Sequence, residues 1–304
     1  MNFDDIDDSK RNLIERLLER PVTGATPAVW GFTNRTDFVT LSGGDRVVVQ
    51  RYRRRRDAEH RLRVMRALLS PAAEAGVAIP RIREFDLDAD PPWVIFDALP
   101  GLPVPEAGEA GLEGPRFPEI ARSMGELLVI FRRLPSEGLE LDELWADPGR
   151  LAASAASWAQ ETSQLAATER STLTDLLDSL PTLFARRPVV LAHGDFAPVN
   201  VLTDGTSLTG LLDFESVRLA DPLFDVAWWA WAVSFASPSV LVKAWPAFLL
   251  GAGIDPADPQ LSARVHALQM LRMLELVADE RSLSPDVRRV VADRLRAMLR
   301  RSAP

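Results

Sequence analysis

The chain has 304 residues, a formal net charge of −8 and 47% hydrophobic residues, which suits one large or two small globular domains. It contains no cysteine, which excludes disulfides and thiolate metal sites, and its acidic balance argues against a nucleic-acid partner. The N-terminus lacks the apolar segment of a signal peptide, and no apolar run is long enough to span a bilayer. We therefore expect a cytoplasmic protein without a membrane partner, and nothing in the sequence indicates its oligomeric state.

The first part of the chain is predicted to form a small lobe rich in β-strands. The spacing of apolar residues and a Ser-Gly-Gly-Asp turn predict a helix, two strands joined as a hairpin, a helix and a third strand: 9–20, 38–41, 47–52, 57–75 and 93–96. A Leu-Pro-Gly break follows the third strand. We expect residues 1–96 to form this lobe and residues 97–101 to form a hinge.

The remainder, residues 102–304, is predicted to be mostly helical. Helical patterns occupy 119–134, 150–168, 169–180 and most of the chain after Phe224. Two short strand pairs interrupt these helices near residues 190–215. The expected class is α+β, with a small β-rich N-terminal lobe and a large helical C-terminal lobe.

The most informative motif lies in those short strands. After one apolar strand come Asp195 and, five residues later, Asn200; after the next apolar strand comes Asp213. This is the order of a phosphoryl-transfer site, in which one carboxylate accepts the proton of the acceptor hydroxyl, while an amide oxygen and a second carboxylate hold Mg²⁺. The alternative is two hairpin loops with ordinary turn residues. We predict Asp195 as the catalytic base and Asn200 and Asp213 as metal ligands.

The same segment resembles the aminoglycoside phosphotransferase and choline kinase superfamily. The His-Gly-Asp run at 193–195 stands where protein kinases have His-Arg-Asp, and the Asp-Pro-x-x-Asp run at 221–225 is similar to the segment that follows the family's metal-binding Asp. Ala197 stands where kinases of Ser or Thr residues generally have Lys, which favours a small-molecule acceptor. The resemblance implies a bilobal protein-kinase-like fold that uses ATP, or GTP, together with Mg²⁺.

The resemblance also implies a nucleotide site in the small lobe. Residues 31–39 resemble the degenerate glycine-rich hairpin of the family, which makes Thr33 and Asn34 donors to the phosphates; a plain β-turn is the alternative. The hinge residues expected to hold adenine are Phe96, Asp97 and Leu99.

A basic residue on the strand 47–52 is expected to hold the phosphates. Alternation along the strand places Val49 and Arg51 on one face, so we expect Val49 to pack on adenine and Arg51 to reach the α- and β-phosphates. Arg stands there instead of the family's usual Lys. Glu59, on the following helix, is the expected ion-pair partner of Arg51. The alternatives are a solvated basic edge for Arg51 and a surface position for Glu59.

Other residues near the motif are expected to have supporting roles. His193 is predicted to order the catalytic loop by hydrogen bonding, and Asp221 and Asp225 are predicted to brace loops near the site. Most of the tryptophan cluster at 228–231 is predicted to be core, with one member open to the substrate cleft.

Acidic residues give the sequence's clue to the acceptor. Between residues 221 and 280 there are seven acids and three bases, and Glu275, Asp279 and Glu280 have helical spacing. Acidic side chains of the C-terminal helices bind substrate ammonium groups in aminoglycoside phosphotransferases, so the resemblance implies an amine-rich antibiotic, either an aminoglycoside or a basic cyclic peptide. A solvated helix face is the alternative for these acids. A metabolite such as homoserine, choline or a sugar, or a macrolide, stays open as the acceptor.

The predicted activity is the ATP- and Mg²⁺-dependent phosphorylation of a hydroxyl group on a small molecule. The rival prediction is a non-catalytic nucleotide-binding protein with the same fold. Loss of Asp195, Asn200 or Asp213 would favour that rival, and all three residues are present.

Overall fold

The elements divide the chain into a strand-rich first third and a mainly helical remainder. The computed structural model describes residues 8–28, 34–162, 165–279 and 283–302. The helices are α1 (Asp8–Leu18), α2 (Arg55–Glu74), α3 (Phe117–Phe131), α4 (Pro148–Glu161), α5 (Ala167–Leu183), α6 (Phe224–Ala236), α7 (Pro238–Gly251), α8 (Leu261–Ala278) and α9 (Pro285–Ser302). The strands are β1 (Val22–Pro27), β2 (Arg35–Leu41), β3 (Arg46–Arg51), β4 (Ile82–Asp86), β5 (Trp93–Asp97), β6 (Leu102–Pro103), β7 (Val190–Ala192), β8 (Val201–Thr203), β9 (Leu208–Leu211) and β10 (Arg218–Ala220).

Strands β1 to β5 form one antiparallel sheet in the order β1-β2-β3-β5-β4. The β2–β3 hairpin turns through Gly43 and Gly44, whose φ values of 92° and 90° belong to the left-handed region that glycine tolerates. In the central strand, Val49 lies opposite Asp37 of β2 and Ile95 of β5. The sheet therefore has two faces, and alternate residues of β3 serve one or the other.

The two faces of the sheet are covered by different helices. On one face, Ile14 of α1 packs with Val39, Val47 and Val49 in a small apolar cluster. On the other face, α2 joins the large core that continues into the helical part of the chain, with residues such as Leu62 packed in it. The second face therefore points towards the rest of the protein.

Helix α6 is the centre of the helical part. Trp229 is fully buried there and stacks on Phe248 of α7, with ring centroids 3.8 Å apart and an interplanar angle of 4°. Helices α3 and α7 cross closely at Gly125 and Gly251; a Cβ atom on Gly125 would lie 2.4 Å from the Phe248 carbonyl oxygen. This tight packing makes the helical part a rigid base for the loops above it.

The short strands carry the loops of the predicted motif. Strand β7 pairs with β10, and β8 pairs with both β6 and β9. Residues 193–200 lie between β7 and β8, and Asp213 lies between β9 and β10. The two loops consequently lie side by side. The helices and strands together confirm the predicted α+β class. In the described part of the chain, no helix is long and apolar enough to cross a membrane.

Candidate active site

A cleft of about 2140 Å³ lies between the sheet and the helical part. Nine of the predicted site residues line it: Asn34, Phe96, Asp97, Leu99, Asp195, Asn200, Asp213, Glu275 and Asp279. Val49, Arg51 and Glu59 are not among the lining residues. Thr33 and Glu280 lie outside the described residues.

One buried carboxylate fixes the loop of residues 193–200, which carries Asp195 and is called the catalytic loop below. The backbone amides of His193 and Gly194 donate to the two oxygens of Asp225, at 2.8 and 2.9 Å. The ring of His193, itself fully buried, bonds through Nε2 to the carbonyl oxygen of Leu212 at 2.9 Å, which ties this loop to the one carrying Asp213. The predicted ordering role of His193 and the bracing role of Asp225 are confirmed.

Glycine is required at position 194. Its φ is 84°, and a Cβ atom there would lie 1.9 Å from the carbonyl oxygen of Ser216. The backbone of the catalytic loop therefore touches the backbone of the neighbouring loop, and any side chain would push the two apart.

Asp195 presents its carboxylate to the cleft in a defined orientation. Oδ1 accepts from the indole Nε1 of Trp228 at 2.6 Å, and Oδ2 accepts from Nδ2 of Asn200 at 2.8 Å. Burial, followed by the negative charge of Asp213, raises the pKa of Asp195. Two members of the tryptophan cluster, Trp228 and Trp231, line the cleft where one was predicted, and Trp228 is the one that bonds to Asp195.

Asn200 and Asp213 offer the oxygens that a hard cation requires. Because Nδ2 of Asn200 donates to the carbonyl and carboxylate oxygens of Asp195, its Oδ1 is the atom left to bind a ligand. Asp213 has a φ of 63°, and its side chain is 38% exposed at the cleft. One amide and one carboxylate oxygen, with water and phosphate oxygens completing the shell, suit Mg²⁺ better than a softer metal.

A buried network connects the sheet to this loop. Glu215 accepts from Arg61 Nη1 at 2.9 Å and from Asn34 Nδ2 at 2.8 Å. Arg61 also bonds to Oε1 of Gln50, and its Nη1 lies 3.8 Å from Oδ1 of Asp213. Burial, followed by the charge of Asp213, raises the pKa of Glu215 to about 7.

Arg61 remains charged inside this network. Burial opposes the charged guanidinium, but Tyr52, Asp213 and Glu215 outweigh that effect and raise the pKa of Arg61. Its guanidinium carbon also lies 4.8 Å from the centre of the Phe96 ring. The sequence did contain a signal for Arg61, because a charged residue interrupts the apolar face of α2.

Strand β3 presents the opposite face to the one predicted. Val49 is 8% exposed and belongs to the small cluster under α1. Arg51 lies on that same side and forms an ion pair with Asp37, which is buried. The residues of β3 that line the cleft are Val48 and Gln50, together with Arg46 at the start of the strand. The predicted contacts of Val49 with adenine and of Arg51 with the phosphates are therefore wrong.

The predicted pairing of Arg51 with Glu59 is also wrong. Glu59 instead forms an exposed ion pair with Arg55, with Nε and Oε1 2.6 Å apart. The error has a physical origin: a shift of one residue along a strand exchanges its two faces. The apolar cluster under α1 and the buried Asp37 determine which face of β3 turns away from the cleft.

The helical end of the cleft, lined by α6, α8 and α9, is aromatic and apolar. Trp228 stacks on Trp231, with ring centroids 4.4 Å apart and an interplanar angle of 9°, and Trp231 contacts Phe235 at 5.1 Å. Phe235 is 46% exposed. Leu276, Val287 and Val291 also line this end. The surface can therefore hold an apolar molecular face.

The acidic residues at this end are not all available to a ligand. Glu275 forms ion pairs with Arg272 and Arg218 and accepts from Trp145 Nε1 at 3.4 Å. Burial opposes ionisation of Glu275, but these two arginines prevail and lower its pKa. Asp279, directly after α8, is exposed at the cleft. The structure thus brings Glu275 and Asp279 to the cleft but surrounds the first with cations.

Comparison with known proteins identifies the family. The model of the phosphotransferase enzyme family matches residues 24–262, which is most of the chain. The chain belongs to this family. The predicted resemblance is thereby confirmed.

Two relatives from Streptomyces species are similar over part of the chain. An aminoglycoside 3'-phosphotransferase of Streptomyces ribosidificus is 29% identical over 174 residues, which cover 51% of this chain and 59% of the relative. One from Streptomyces fradiae is 31% identical over 159 residues, which cover 50% and 57%. The aligned part thus spans somewhat more than half the length of these relatives.

Solved structures share the fold over nearly the whole chain. The GDP and kanamycin complex of APH(2")-IIia has a TM-score of 0.76 at 18% identity and covers 95% of this chain and 98% of that protein. A thermostable APH(4)-Ia mutant with ADP and hygromycin B gives 0.71 at 16% identity, with 97% and 98% covered. Macrolide 2'-phosphotransferase from Brachybacterium faecium gives 0.66 at 19% identity, with 96% and 98% covered. These likenesses confirm the predicted protein-kinase-like fold.

Proposed function

We propose that this phosphotransferase transfers the γ-phosphate of ATP to a hydroxyl group of a small molecule. The observation that carries the proposal is the carboxylate of Asp195, held at the cleft by Trp228 and Asn200 beside the second carboxylate of Asp213. This arrangement pairs a base with a metal site, as phosphoryl transfer requires. The proposal places the nucleotide between the sheet and these loops, and the acceptor at the helical end of the cleft.

Asp195 is suited to receive the acceptor's proton. Each of its oxygens uses one lone pair for a protein donor and keeps another for an incoming hydroxyl group. The raised pKa makes the carboxylate of Asp195 a stronger base than a solvated aspartate. Asp195 would therefore orient the hydroxyl oxygen towards the phosphate and take up its proton.

Asn200 and Asp213 would hold Mg²⁺ through Oδ1 of the amide and the carboxylate. When bound, the metal neutralises the charge that develops on the phosphates during transfer. Asn34, which hydrogen-bonds Glu215 beside this site, would contribute a side-chain amide to the nucleotide loop. Phe96, Asp97 and Leu99 line the same side of the cleft and stay proposed as the adenine contacts.

ATP is the proposed phosphate donor, and GTP is the alternative. A comparison of the binding affinities for ATP and GTP distinguishes the two. Solved relatives of this fold carry GDP in one case and ADP in another, so the fold accepts both bases. Cytoplasmic location, where both nucleotides are abundant, stays a prediction from the sequence. The boundaries of the proposed lobes are 1–96 and 102–304, with the hinge at 97–101.

The leading proposed acceptor is an amine-rich antibiotic. Both Streptomyces relatives are aminoglycoside 3'-phosphotransferases, and kanamycin occupies one of the solved structures. Of the proposed carboxylates, Asp279 is exposed at the cleft, whereas the Glu275 side chain is only 20% exposed and lies between two arginines. Ammonium recognition in this chain would therefore depend on Asp279 more than on Glu275.

An acceptor with an apolar body is the second candidate. The stacked Trp228 and Trp231 and the exposed Phe235 favour it, because they present a continuous aromatic wall. Two of the structural relatives are macrolide 2'-phosphotransferases. Such an acceptor would bind chiefly by burial of apolar surface, which salt does not screen.

A panel of acceptors with coupled detection of ADP tests the proposal. The panel contains aminoglycosides, basic cyclic peptides, macrolides, choline, homoserine and sugars. Asp195→Asn should lower the turnover of any acceptor found by roughly 10²–10⁴-fold, the scale of general base catalysis, with little change in ATP affinity. Wild-type turnover in that variant would refute the assignment of the base. Tight Mg-ATP binding without turnover of any acceptor would favour the non-catalytic rival.

The two acceptor classes differ in their dependence on salt. For a polycationic acceptor, KM should rise with ionic strength and rise again in Asp279→Asn, because remote ammonium–carboxylate contacts hold ground and transition states about equally. For an apolar acceptor, KM should not change with ionic strength or in Asp279→Asn, but it should rise in Phe235→Ala. Measuring KM for wild type and these two variants at two salt concentrations separates the classes.

A further inference from the structure

The cation nearest the metal site lies on helix α2, whereas the sequence pattern predicted it on strand β3. Strand β3 turns Arg51 away from the cleft and places a neutral side chain, Gln50, at the cleft wall. Arg61 of α2 faces Gln50 and reaches the same wall, although only 6% of its surface is exposed. In this chain the cation beside Gln50 therefore comes from α2 and not from β3.

We propose that Arg61 binds the α- and β-phosphates of the nucleotide, with Gln50 and Glu215 positioning its guanidinium group. The inference rests on the proposed function, because it assumes a nucleotide in the cleft. It assigns to Arg61 the role that the sequence pattern gave to Arg51.

The contacts of Arg61 leave hydrogen-bond donors for a ligand. Its Nη1 serves both Gln50 and Glu215. Its Nε is buried and has no hydrogen-bond partner among the described residues. A guanidinium group has five N–H donors in one plane, a geometry that matches phosphate oxygens. A buried donor without a partner costs stability, and a phosphate oxygen would satisfy it.

The neighbours of Arg61 point to the phosphates in particular. Its Nη1 lies 3.8 Å from Oδ1 of Asp213, the proposed metal ligand, so the cation and the metal site adjoin each other. Asn34, a proposed phosphate contact, donates to both oxygens of the same Glu215 carboxylate, including the Oε1 that accepts from Arg61. Arg61 and Asn34 therefore meet at Glu215, next to the proposed metal ligand Asp213, where the phosphates of a metal-bound nucleotide would lie.

Other arginines that line the cleft, on β3 and in the chain directly after it, are poorer candidates. Arg46 lines the cleft, but its guanidinium group lies over the ring of Phe38, 4.9 Å from the ring centre. Arg53 and Arg56 line the cleft from exposed positions, where solvent and salt screen a charge–charge contact. Arg61 is the buried one of these cations, and burial strengthens its attraction for an anion.

The test compares binding of ADP and adenosine in the presence of EDTA, so that no metal contributes. Two variants are compared by calorimetry: Glu215→Gln alone, and Glu215→Gln combined with Arg61→Gln. Both lack the Glu215 charge, so the comparison isolates the guanidinium and leaves no unpaired Glu215 carboxylate. Loss of Arg61 should raise the Kd of ADP at least about tenfold, the size of one charge-assisted contact, and leave that of adenosine unchanged.

The chain offers a matched control on the opposite face of β3. Asp37→Asn, alone and combined with Arg51→Gln, makes the same chemical change in a second Arg–carboxylate pair, in which Asp37 is buried and Arg51 is half-buried. In this control pair, loss of Arg51 should leave the affinity for ADP unchanged. Thermal unfolding of all four proteins shows that each is folded under the conditions of the titration.

The possible outcomes are distinct. An equal loss of ADP and adenosine affinity on removal of Arg61 would mean a structural role, and no loss at all would likewise overturn the inference. If the Arg61→Gln combination does not fold, Arg61→Met in the Glu215→Gln background replaces it, because methionine fills a similar apolar volume but has neither a charge nor an N–H donor. A selective rise in the Kd of ADP is again expected, and an unchanged Kd refutes the inference. Failure of wild type to bind any nucleotide would refute the proposed function itself.

Discussion

Replacement of Asp225 by Asn should slow catalysis although Asp225 does not reach the cleft. Its carboxylate is 1% exposed and accepts hydrogen bonds from the backbone amides of His193 and Gly194, which directly precede the proposed base Asp195. The two amides bond to different oxygens of Asp225, so an Asn side chain in the same orientation, with one oxygen and one NH₂ group, can accept only one of them. The other backbone amide then faces the NH₂ group of the Asn side chain. The loop must either move or leave that backbone amide without a hydrogen-bond acceptor.

The structure allows the size of the effect to be worked out. One charge-assisted hydrogen bond, worth about 1.5–3 kcal/mol, is lost, and the other becomes a weaker neutral bond. The free energy of unfolding should therefore fall by about 2–4 kcal/mol. A displacement of the catalytic group by about 1 Å costs on the order of 100-fold in rate, so we expect kcat to fall by about 10- to 100-fold.

Asp221→Asn is the matched control for stability. Asp221 is also buried and carries comparable bonds, to Arg187 at 2.8 Å and to the amide of Leu223 at 2.7 Å, but none to the catalytic loop. Both variants should unfold more easily in urea, whereas only Asp225→Asn should lose kcat. Steady-state kinetics would use the acceptor found in the panel, below the unfolding transition of either variant. Equal kcat values in the two variants would refute the reasoning, since loop position would then not depend on Asp225.

Two further predictions concern the metal site and the helical base. Asp213→Asn keeps the side chain's shape and tolerates the positive φ, so its loss of Mg²⁺-dependent ATP affinity, measured by calorimetry, should exceed that of Asn200→Ala and persist at high Mg²⁺. Unchanged affinity would place the metal elsewhere. Gly125→Ala should lower the free energy of unfolding by about 1–3 kcal/mol, because its Cβ meets the backbone of α7. Gly149→Ala in α4, whose Cβ has only ordinary contacts, should be neutral or stabilising, and the reverse order would contradict the packing argument.

The residues that the sequence predicted well are those whose positions depend on local chain geometry. Asp195 and Asn200 are five residues apart in one loop, and Asp213 follows the next hairpin, so short strands suffice to bring all three to the cleft. The hydrogen bond of Asn200 to Asp195 follows from that spacing. The helices and the strands β2, β3 and β5 were recognisable for the same reason, since each has its own apolar period or apolar run.

Elements without such a period were missed. Strand β1 has the sequence Val-Thr-Gly-Ala-Thr-Pro, and β4 is mostly exposed and charged. Both lie at the edges of the sheet, where pairing with a neighbour, and not burial, maintains the strand. Their formation depends on β2 and β5 being present, and a single-segment pattern does not contain that information.

The face of β3 could not be read from the strand alone. Val47, Val48 and Val49 are all apolar, so alternation is not visible in them, and the polar pair Gln50 and Arg51 can point either way. Two distant residues decide the matter: Asp37 on β2 pairs with Arg51 on one face, and Arg61 on α2 meets Gln50 on the other. A buried charge on a helix face, such as Arg61, was the one local sign of this arrangement.

The acceptor was the hardest property to predict because a count of charges along the chain ignores their pairing in space. Glu275 was counted as a free acid, but Arg272 lies three residues away on the same face of α8, and Arg218 approaches from β10. The first pairing is visible in the sequence as an i, i+3 contact, whereas the second depends on the tertiary fold. Because its arginines neutralise Glu275, the aromatic wall is the main surface that the helical end of the cleft offers to an acceptor. The acceptor class therefore depends on whether Asp279 or Phe235 contributes more to binding, which is the comparison that KM at two salt concentrations measures.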